Sequence, residues 1–119
     1  MGKKILVVDD ENLVRWSVKR YLEAEGYQTL EASSGQEALR ILDMENVGVM
    51  ITDLMMPGMD GVELIRRARA RQPHLSVLVI TASHSSGMLR SARDAGAIRT
   101  FEKPIPFRDL LGTLQGLEH

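Results

Sequence analysis

Five short segments suited to β-strands alternate along the chain with five helical patterns. Three of these segments are continuous aliphatic runs, at residues 5–8, 47–51 and 77–80, of the kind found where helices cover both faces of a sheet. The other two, at residues 27–32 and 98–102, alternate apolar and polar side chains, so we expect them toward the sheet edges. A strand–helix unit repeated five times predicts right-handed crossovers and a mainly parallel sheet between two helical layers.

The predicted helices carry their own start and stop signals. The segment 34–37 is a capping box, Ser-Gly-Gln-Glu, and the segment 60–63 has the same spacing with aspartate in the serine position. Pro106 is placed to open the last helix. The fourth helical pattern, residues 86–95, has the thinnest apolar stripe and contains Gly87, so we expect it to be the part of the fold that moves.

The chain has 119 residues and a mass of 13.3 kDa, the size of one domain. We assign residues 1–116 to that domain and interpret Leu-Glu-His at 117–119 as the stub of an expression tag. The net charge of −1 argues against direct nucleic-acid binding and against a polybasic membrane patch. No apolar run approaches the roughly 20 residues of a membrane span. The lack of cysteine excludes disulfides and thiolate metal sites and suits the cytoplasm.

Polar residues that can carry chemistry follow four of the predicted strands. Asp9 and Asp10 end the first, Asp53 ends the third, Thr81 ends the fourth and Lys103 follows the fifth. In open α/β sheets, sites form beyond the carboxyl ends of the strands. We therefore expect these five side chains to converge on one rim, although they come from distant parts of the sequence.

Three neighbouring carboxylates repel one another, and a divalent cation relieves that repulsion. Oxygen ligands with room for water suit Mg²⁺, with Mn²⁺ as the alternative cation. A carboxylate beside such a metal can attack a phosphoryl group, and positive charge and hydrogen-bond donors must then surround the transferred oxygens. This set of residues predicts phosphoryl transfer to an aspartate.

Each position also has an ordinary structural interpretation. Asp9 or Asp10 alone would serve as a helix cap, Thr81 as a strand residue and Lys103 as a solvated side chain, and only their combination favours a site. Asp60 is assigned mainly to capping. The aromatic residues Trp16, Tyr21 and Tyr27 are interpreted as packing residues, the arginines between 66 and 71 as a solvated helix face, and the isolated His74 and His84 as chemically inert.

Four motifs occur in order at the ends of the predicted strands: residues 6–11 (LVVDDE), 52–61 (TDLMMPGMDG), 80–82 (ITA) and 101–104 (FEKP). With them the chain resembles the receiver domain of a two-component response regulator, over residues 3–114. The resemblance implies a three-layer (βα)₅ flavodoxin-like fold with a parallel five-stranded sheet in the order 2-1-3-4-5. The string from Asn12 to Trp16 further resembles activators of the nitrogen-regulation type.

The resemblance also implies a role for each residue of the rim. Asp53 would be the phosphoacceptor, and the metal would be held by Asp53, Asp10 and the Met55 carbonyl, with Asp9 behind them or bound through water. The remaining roles fall on Met55 again and on five further positions. Thr81 and Lys103 would bind the phosphoryl oxygens, and Thr81 and Phe101 would form the switch. Lys103–Pro104 would be a cis peptide, and Met55 and Ser83 would tune dephosphorylation.

The implied partners are a sensor histidine kinase or a phosphotransfer protein, whose phosphohistidine donates the phosphoryl group. We expect the face formed by the fourth helix, the fifth strand and the fifth helix to change on phosphorylation, and so to control an output domain or a homodimer. The implied output is transcription regulation, and the protein itself would not be an enzyme beyond its own phosphorylation and dephosphorylation.

Three other functions compete with this hypothesis. An aspartate-nucleophile phosphatase would need an Asp-x-Asp motif after the first strand and a cap over the substrate, and Asp9-Asp10-Glu11 lacks that spacing. A flavin-binding protein would need a phosphate loop in place of these acids. A phosphate-independent interaction module remains open from sequence.

Overall fold

A computed structural model of the protein describes residues 4–83 and 85–118. The described residues form one five-stranded sheet in the order β2-β1-β3-β4-β5, and every neighbouring pair of strands is parallel. The sheet and the fold class agree with the expectation from sequence. The elements are β1 (Lys4–Val8), α1 (Asn12–Ala24), β2 (Gln28–Ala32), α2 (Gly35–Met44), β3 (Val49–Thr52), α3 (Gly61–Arg71), β4 (Ser76–Thr81), α4 (Ser86–Ala95), β5 (Ala97–Glu102) and α5 (Phe107–Gly116).

The core lies in two layers, one on each face of the sheet. Along β1, Leu6 and Val8 point into the layer shared with α2, α3 and α4, whereas Ile5 and Val7 point into the layer shared with α1 and α5. All four side chains are buried. This two-sided burial explains why the central strands are continuous aliphatic runs rather than alternating ones.

The two alternating segments are the edge strands β2 and β5, as predicted. Two strand boundaries differ from the prediction. β3 begins at Val49 rather than at Val47, because the Val47 N–H donates to the Gln72 side chain at 3.1 Å instead of to a neighbouring strand. β2 begins at Gln28, because the Tyr27 N–H bonds back to the Leu22 carbonyl at 3.1 Å in the Schellman turn that ends α1.

The predicted helix caps are present with altered partners. Ser34 accepts from the Glu37 N–H, but the Glu37 carboxylate reaches the N–H of Ser33 rather than that of Ser34. Asp60 accepts from the Val62 N–H at 2.8 Å. Helix α5 begins one residue after Pro106, which is its N-cap. None of the helices in the described part of the chain has the length and apolar character that a membrane span requires.

Gly61 lets α3 pack directly against the backbone that carries Asp53. A Cβ atom at position 61 would lie 2.6 Å from Leu54 Cα, 2.9 Å from the Leu54 oxygen and 3.0 Å from the Asp53 oxygen. These neighbours are main-chain atoms, which cannot move without displacing the end of β3. The glycine is therefore required by close approach rather than by an unusual dihedral angle.

We expect Gly61→Ala to lower the free energy of unfolding by about 2 kcal/mol through overpacking. Gly112→Ala is the matched control, because a Cβ atom there meets nothing within 4 Å, and it should stabilise the protein by about 0.5–1 kcal/mol. Urea unfolding of the two variants measures both effects. Equal stabilities for the two variants would contradict the close approach at residue 61.

Candidate functional site

The fold brings the polar rim together through main-chain hydrogen bonds at the strand ends. The Asp9 N–H donates to the Ala32 carbonyl at 3.1 Å, and the Asp53 N–H donates to the Val8 carbonyl at 3.2 Å. The Lys103 N–H donates to the Thr81 carbonyl at 3.0 Å. Each site residue thus continues the sheet pairing by one step, and this holds its side chain at the carboxyl edge.

One ammonium group joins three carboxylates at this edge. Lys103 Nζ lies 2.8 Å from Asp53 Oδ2, 2.8 Å from Glu11 Oε1 and 3.2 Å from Asp9 Oδ2. Burial disfavours the charged lysine, but the hydrogen bonds to Asp53 and Glu11 outweigh it, so the pKa of Lys103 stands above its usual value. Lys103 therefore carries its positive charge throughout the physiological pH range.

Asp9 is 3% exposed, and its burial dominates its electrostatics. Burial raises the pKa of Asp9 above its ordinary value, although its hydrogen bond from the Glu11 N–H and the nearby Lys103 charge oppose the shift. That hydrogen bond, at 2.9 Å, is local to the turn before α1. The N-cap residue of α1 is Glu11, which makes no side-chain cap, so neither aspartate caps this helix.

The carboxylates could hold a divalent cation. Within the described residues, oxygens of Asp9, Glu11 and Asp53 all lie within 4.8 Å of one another, an oxygen-only donor set of the kind that Mg²⁺ takes. Glu11 is a member that sequence reasoning did not assign, although its position directly after the two aspartates was a visible signal. Asp10, predicted as a direct ligand, is exposed and lies outside this group.

Asp53 has a second partner beside Lys103. Its Oδ1 accepts the Met55 N–H at 3.0 Å, so both carboxylate oxygens are oriented. The Met55 side chain is 56% exposed, although it lies two residues from the buried Asp53.

Thr81 is buried at the carboxyl end of β4, and its hydroxyl begins a series of three hydrogen bonds that ends at α4. Thr81 Oγ1 accepts the Ser83 N–H at 3.2 Å, and Ser83 Oγ accepts the Ser85 N–H at 3.2 Å. Ser85 Oγ then accepts the Met88 N–H, also at 3.2 Å, as the N-cap of α4. The residue between Ser83 and Ser85, His84, lies outside the described residues.

Phe101 lies inside the fold, 6% exposed, within the layer that α1 and α5 cover. The guanidinium carbon of Arg99 stands 4.8 Å from the ring centroid, and Arg99 also donates to Thr113 on α5 at 3.2 Å. The peptide bond between Lys103 and Pro104 is cis.

The aromatic residues that we interpreted as packing residues lie outside the rim and differ in burial. Tyr21 and Tyr27 pack against the core as predicted, but Trp16 does not: it is 53% exposed, with the Arg20 guanidinium 5.1 Å from its ring.

Of the residues interpreted as a tag stub, Leu117 packs against the core and Glu118 accepts a hydrogen bond from Tyr27. His119 is outside the described residues.

A (βα)₅ sheet with acids, a hydroxyl and a lysine at its carboxyl edge defines a receiver-type domain. The model of the response regulator receiver domain family matches residues 5–115. The chain therefore belongs to the response regulator receiver domain family.

Similar proteins agree with this assignment. Sporulation initiation phosphotransferase F of Bacillus subtilis is 33% identical over 92% of this chain and 89% of its own length. A CheY-like receiver domain protein from Methanospirillum hungatei superposes with a TM-score of 0.92 at 31% identity, covering 99% of this chain and 98% of its own.

A Burkholderia pseudomallei response regulator, solved with a phosphorylated aspartic acid, a calcium ion and citrate, has a TM-score of 0.89 at 30% identity, covering 96% of this chain and 67% of its own. Several further curated relatives, each a response regulator, are longer. The chain spans about half of their length, which is 51% for one of them.

Asp9→Asn should stabilise the protein in the absence of divalent cations. Because the pKa of Asp9 is raised in the folded state, its protonated form favours folding, and that contribution is lost as pH rises through the folded pKa. At pH 7 the variant removes the cost of the buried charge, about 1 kcal/mol. Thermal unfolding with a chelator measures the gain, which should shrink as the solution is acidified.

The exposed Asp109→Asn serves as the control and should leave the melting temperature nearly unchanged. Mg²⁺ should raise the melting temperature of the wild type more than that of Asp9→Asn. A variant less stable than the wild type at neutral pH would contradict the desolvation of Asp9.

Proposed function

We propose that this protein is a phosphoacceptor switch of a two-component system in the cytoplasm. Asp53 would accept the phosphoryl group from a phosphohistidine on a sensor kinase or a phosphotransfer protein. The observation that carries the proposal is the contact of 2.8 Å between Asp53 Oδ2 and Lys103 Nζ. This pair lies beside Asp9 and Glu11 at the carboxyl edge of the sheet. The phosphorylated aspartic acid in the related Burkholderia response regulator supports it.

In the proposed step, an Asp53 carboxylate oxygen attacks phosphorus and a new O–P bond forms. The N–P bond of the donor breaks, and its electron pair remains on the imidazole nitrogen. Lys103 would balance the charge on the transferred oxygens and Thr81 would donate its hydroxyl to one of them. No proton needs to leave Asp53, because it reacts as the carboxylate.

The proposed cation site consists of Asp53, Asp10 and the Met55 carbonyl, with Asp9 bound through water, and Glu11 lies within reach as a further carboxylate. Mg²⁺, or Mn²⁺ in its place, would supply positive charge that screens these acids from the incoming phosphoryl group. In its absence Lys103 alone performs that screening.

A donor protein needs a surface beside this rim. On the first turns of α1, Leu13 is 73% and Trp16 is 53% exposed, next to a hollow of about 450 Å³ that Asn12, Arg15 and Glu31 complete. Exposed tryptophan and leucine are uncommon on a monomer surface and typical of interfaces. We assign the kinase or phosphotransfer contact to this surface.

Release of the Thr81 hydroxyl toward a phosphoryl group would change the hydrogen bonds that lead to α4. The Ser83 N–H would lose its acceptor, and the serine series that ends at the cap of α4 would rearrange. Phe101 is already buried in this structure, so phosphorylation would stabilise its inward position rather than create it. The face of α4, β5 and α5 would thereby change. Met55 and Ser83 would set the access of water to the acyl phosphate.

The proposed output is an effect on another domain or on a partner. The response regulators that are about twice as long as this chain support an output domain joined to the receiver, and transcription regulation is the function that we propose for it. The alternative is a homodimer that forms on phosphorylation through the face of α4, β5 and α5. The resemblance of residues 12–16 supports the proposal that the receiver belongs to an activator of the nitrogen-regulation type.

Incubation with Mg²⁺ and a small acyl-phosphate donor should add one phosphoryl group to the wild type, as measured by intact mass. Asp53→Asn should gain none, because the nucleophile is absent, and omission of Mg²⁺ should prevent the reaction. Asp60→Asn is the matched control, because Asp60 caps α3 by accepting the Val62 N–H, a bond that asparagine can also accept, and the variant should be phosphorylated like the wild type. A phosphoryl group on Asp53→Asn would disprove the assignment of the acceptor, and turnover of a small phosphomonoester would indicate a phosphatase instead.

Phosphorylation should alter amide hydrogen exchange across residues 86–95 in the wild type. Thr81→Val keeps the side-chain volume but removes the hydroxyl that accepts from Ser83, so exchange in α4 should no longer respond to phosphorylation. Thr113→Val on α5 provides the control and should retain the response. Identical exchange changes in Thr81→Val and the wild type would show that the hydroxyl series does not couple the two regions.

A further inference from the structure

The charges of the protein are divided unevenly along the chain. Residues 60–96 contain six arginines and three acidic residues, a net charge of +3, within a chain whose total is −1. The rest of the chain therefore carries −4. The basic excess belongs to α3 and α4, two neighbouring helices on one face of the sheet.

Most arginines of α3 are already engaged. Arg67 pairs with Glu63 at 2.8 Å and Arg71 pairs with Asp43 at 2.9 Å. Arg69 donates to the Leu75 carbonyl at 2.8 Å. Because these contacts provide partners for the arginine side chains, this solvated face of α3 needs no ligand.

The arginines of α4 are not engaged in this way. Within the described part of the chain, no hydrogen bond or ion pair joins the guanidinium group of Arg90 or Arg93 to another residue, although the Arg93 carbonyl accepts the Gly96 N–H at 3.0 Å. The two are three positions apart, and so project from the same side of the helix. Together with Ser86 and Gly87 they line a hollow of about 260 Å³ on the exposed side of α4.

A second hollow of about 260 Å³ lies between α3 and α4, and Val62, Arg66 and Met88 contribute to its lining. The two hollows adjoin at Gly87, which lines both. A Cβ atom at Gly87 would approach only the Ser85 hydroxyl, at 3.9 Å, so the missing side chain leaves a shallow passage across the start of α4. In the part of the chain that the structure describes, Arg66 makes one ion pair, of 3.5 Å to Glu63, and its side chain is 58% exposed.

We propose that this passage, the α4 trough, binds an acidic peptide segment of a partner protein. The guanidinium groups of Arg90 and Arg93 would each take a side-chain carboxylate, in the paired geometry that arginine favours. Arg66 would take a third on the other side. An apolar side chain of the same peptide would rest between Val62 and Met88.

A peptide fits this surface better than a nucleic acid does. Asp60 also lines the trough, and Asp94 directly follows Arg93. A continuous phosphate backbone would meet both carboxylates, whereas a peptide can place acidic residues opposite the arginines alone. Nucleic-acid surfaces are strongly and continuously basic, and this one is not.

The test uses the complete chain and a fluorescein-labelled peptide that alternates glutamate with leucine. Fluorescence anisotropy should give a dissociation constant for the wild type that rises roughly tenfold in Arg90→Glu/Arg93→Glu. The matched control, Arg20→Glu/Arg108→Glu, reverses the same number of charges on α1 and α5 and should bind like the wild type. Equal losses in the two double variants would overturn the site in favour of general electrostatic attraction.

Two further measurements test where the peptide binds and which class of ligand the site takes. Titration of the peptide into isotope-labelled protein should shift the backbone amide resonances of Gly87 and Met88 before those of α1. A peptide with glutamine in place of glutamate should not bind. Tighter binding of a single-stranded DNA oligonucleotide than of the acidic peptide would overturn the proposal, and so would unshifted Gly87 and Met88 resonances at peptide saturation.

The inference does not depend on phosphorylation of Asp53. Asp53→Asn should bind the peptide with the affinity of the wild type, since Asp53 lies outside the trough. Failure of the peptide to bind would therefore leave the phosphoacceptor assignment intact, and failure of phosphorylation would leave the trough intact.

Discussion

The site depends on one lysine whose single positive charge contacts three crowded carboxylates and offsets part of their repulsion. Asp9 and Asp53 are almost fully buried, and two such charges in a poorly solvated site repel each other strongly. Lys103 Nζ contacts both, and Glu11 as well, at 2.8–3.2 Å. Under the proposed function, the same carboxylates would hold a cation, and that cation together with Lys103 would offset their repulsion of an incoming phosphoryl group. Stability given up at a site for function is the usual pattern in proteins.

The backbone makes the cluster possible. Parallel pairing of β1 with β2 and β3, and of β4 with β5, brings the strand ends to one edge, and single main-chain hydrogen bonds beyond each strand fix Asp9, Asp53 and Lys103 in register. Gly61 allows α3 to lie against the peptide units that carry Asp53. The site is therefore rigid on the β1–β3 side, where both core layers are dense.

The opposite side is built more loosely. Ala92 is the single fully buried residue of α4, and Met88, Leu89 and Ala95 are only partly buried against the core. Three hydroxyl hydrogen bonds also connect the start of the helix to the rim. Segments with few buried apolar contacts open at low free-energy cost, so an element of this kind can respond to a small change at Thr81.

The sequence by itself determined the five strand–helix units, the edge positions of β2 and β5, and the set of polar residues at the strand ends. These features follow from local periodicity and from the rule that sites in parallel sheets lie beyond the carboxyl ends of the strands. Only the tertiary structure decided that a Glu11 oxygen lies within 4.8 Å of oxygens of Asp9 and Asp53 and that Trp16 faces solvent. It also decided that, within the described residues, Arg67 and Arg71 form ion pairs whereas the side chains of Arg90 and Arg93 form none. Those outcomes depend on side-chain directions and on neighbours distant in sequence, which periodicity does not encode.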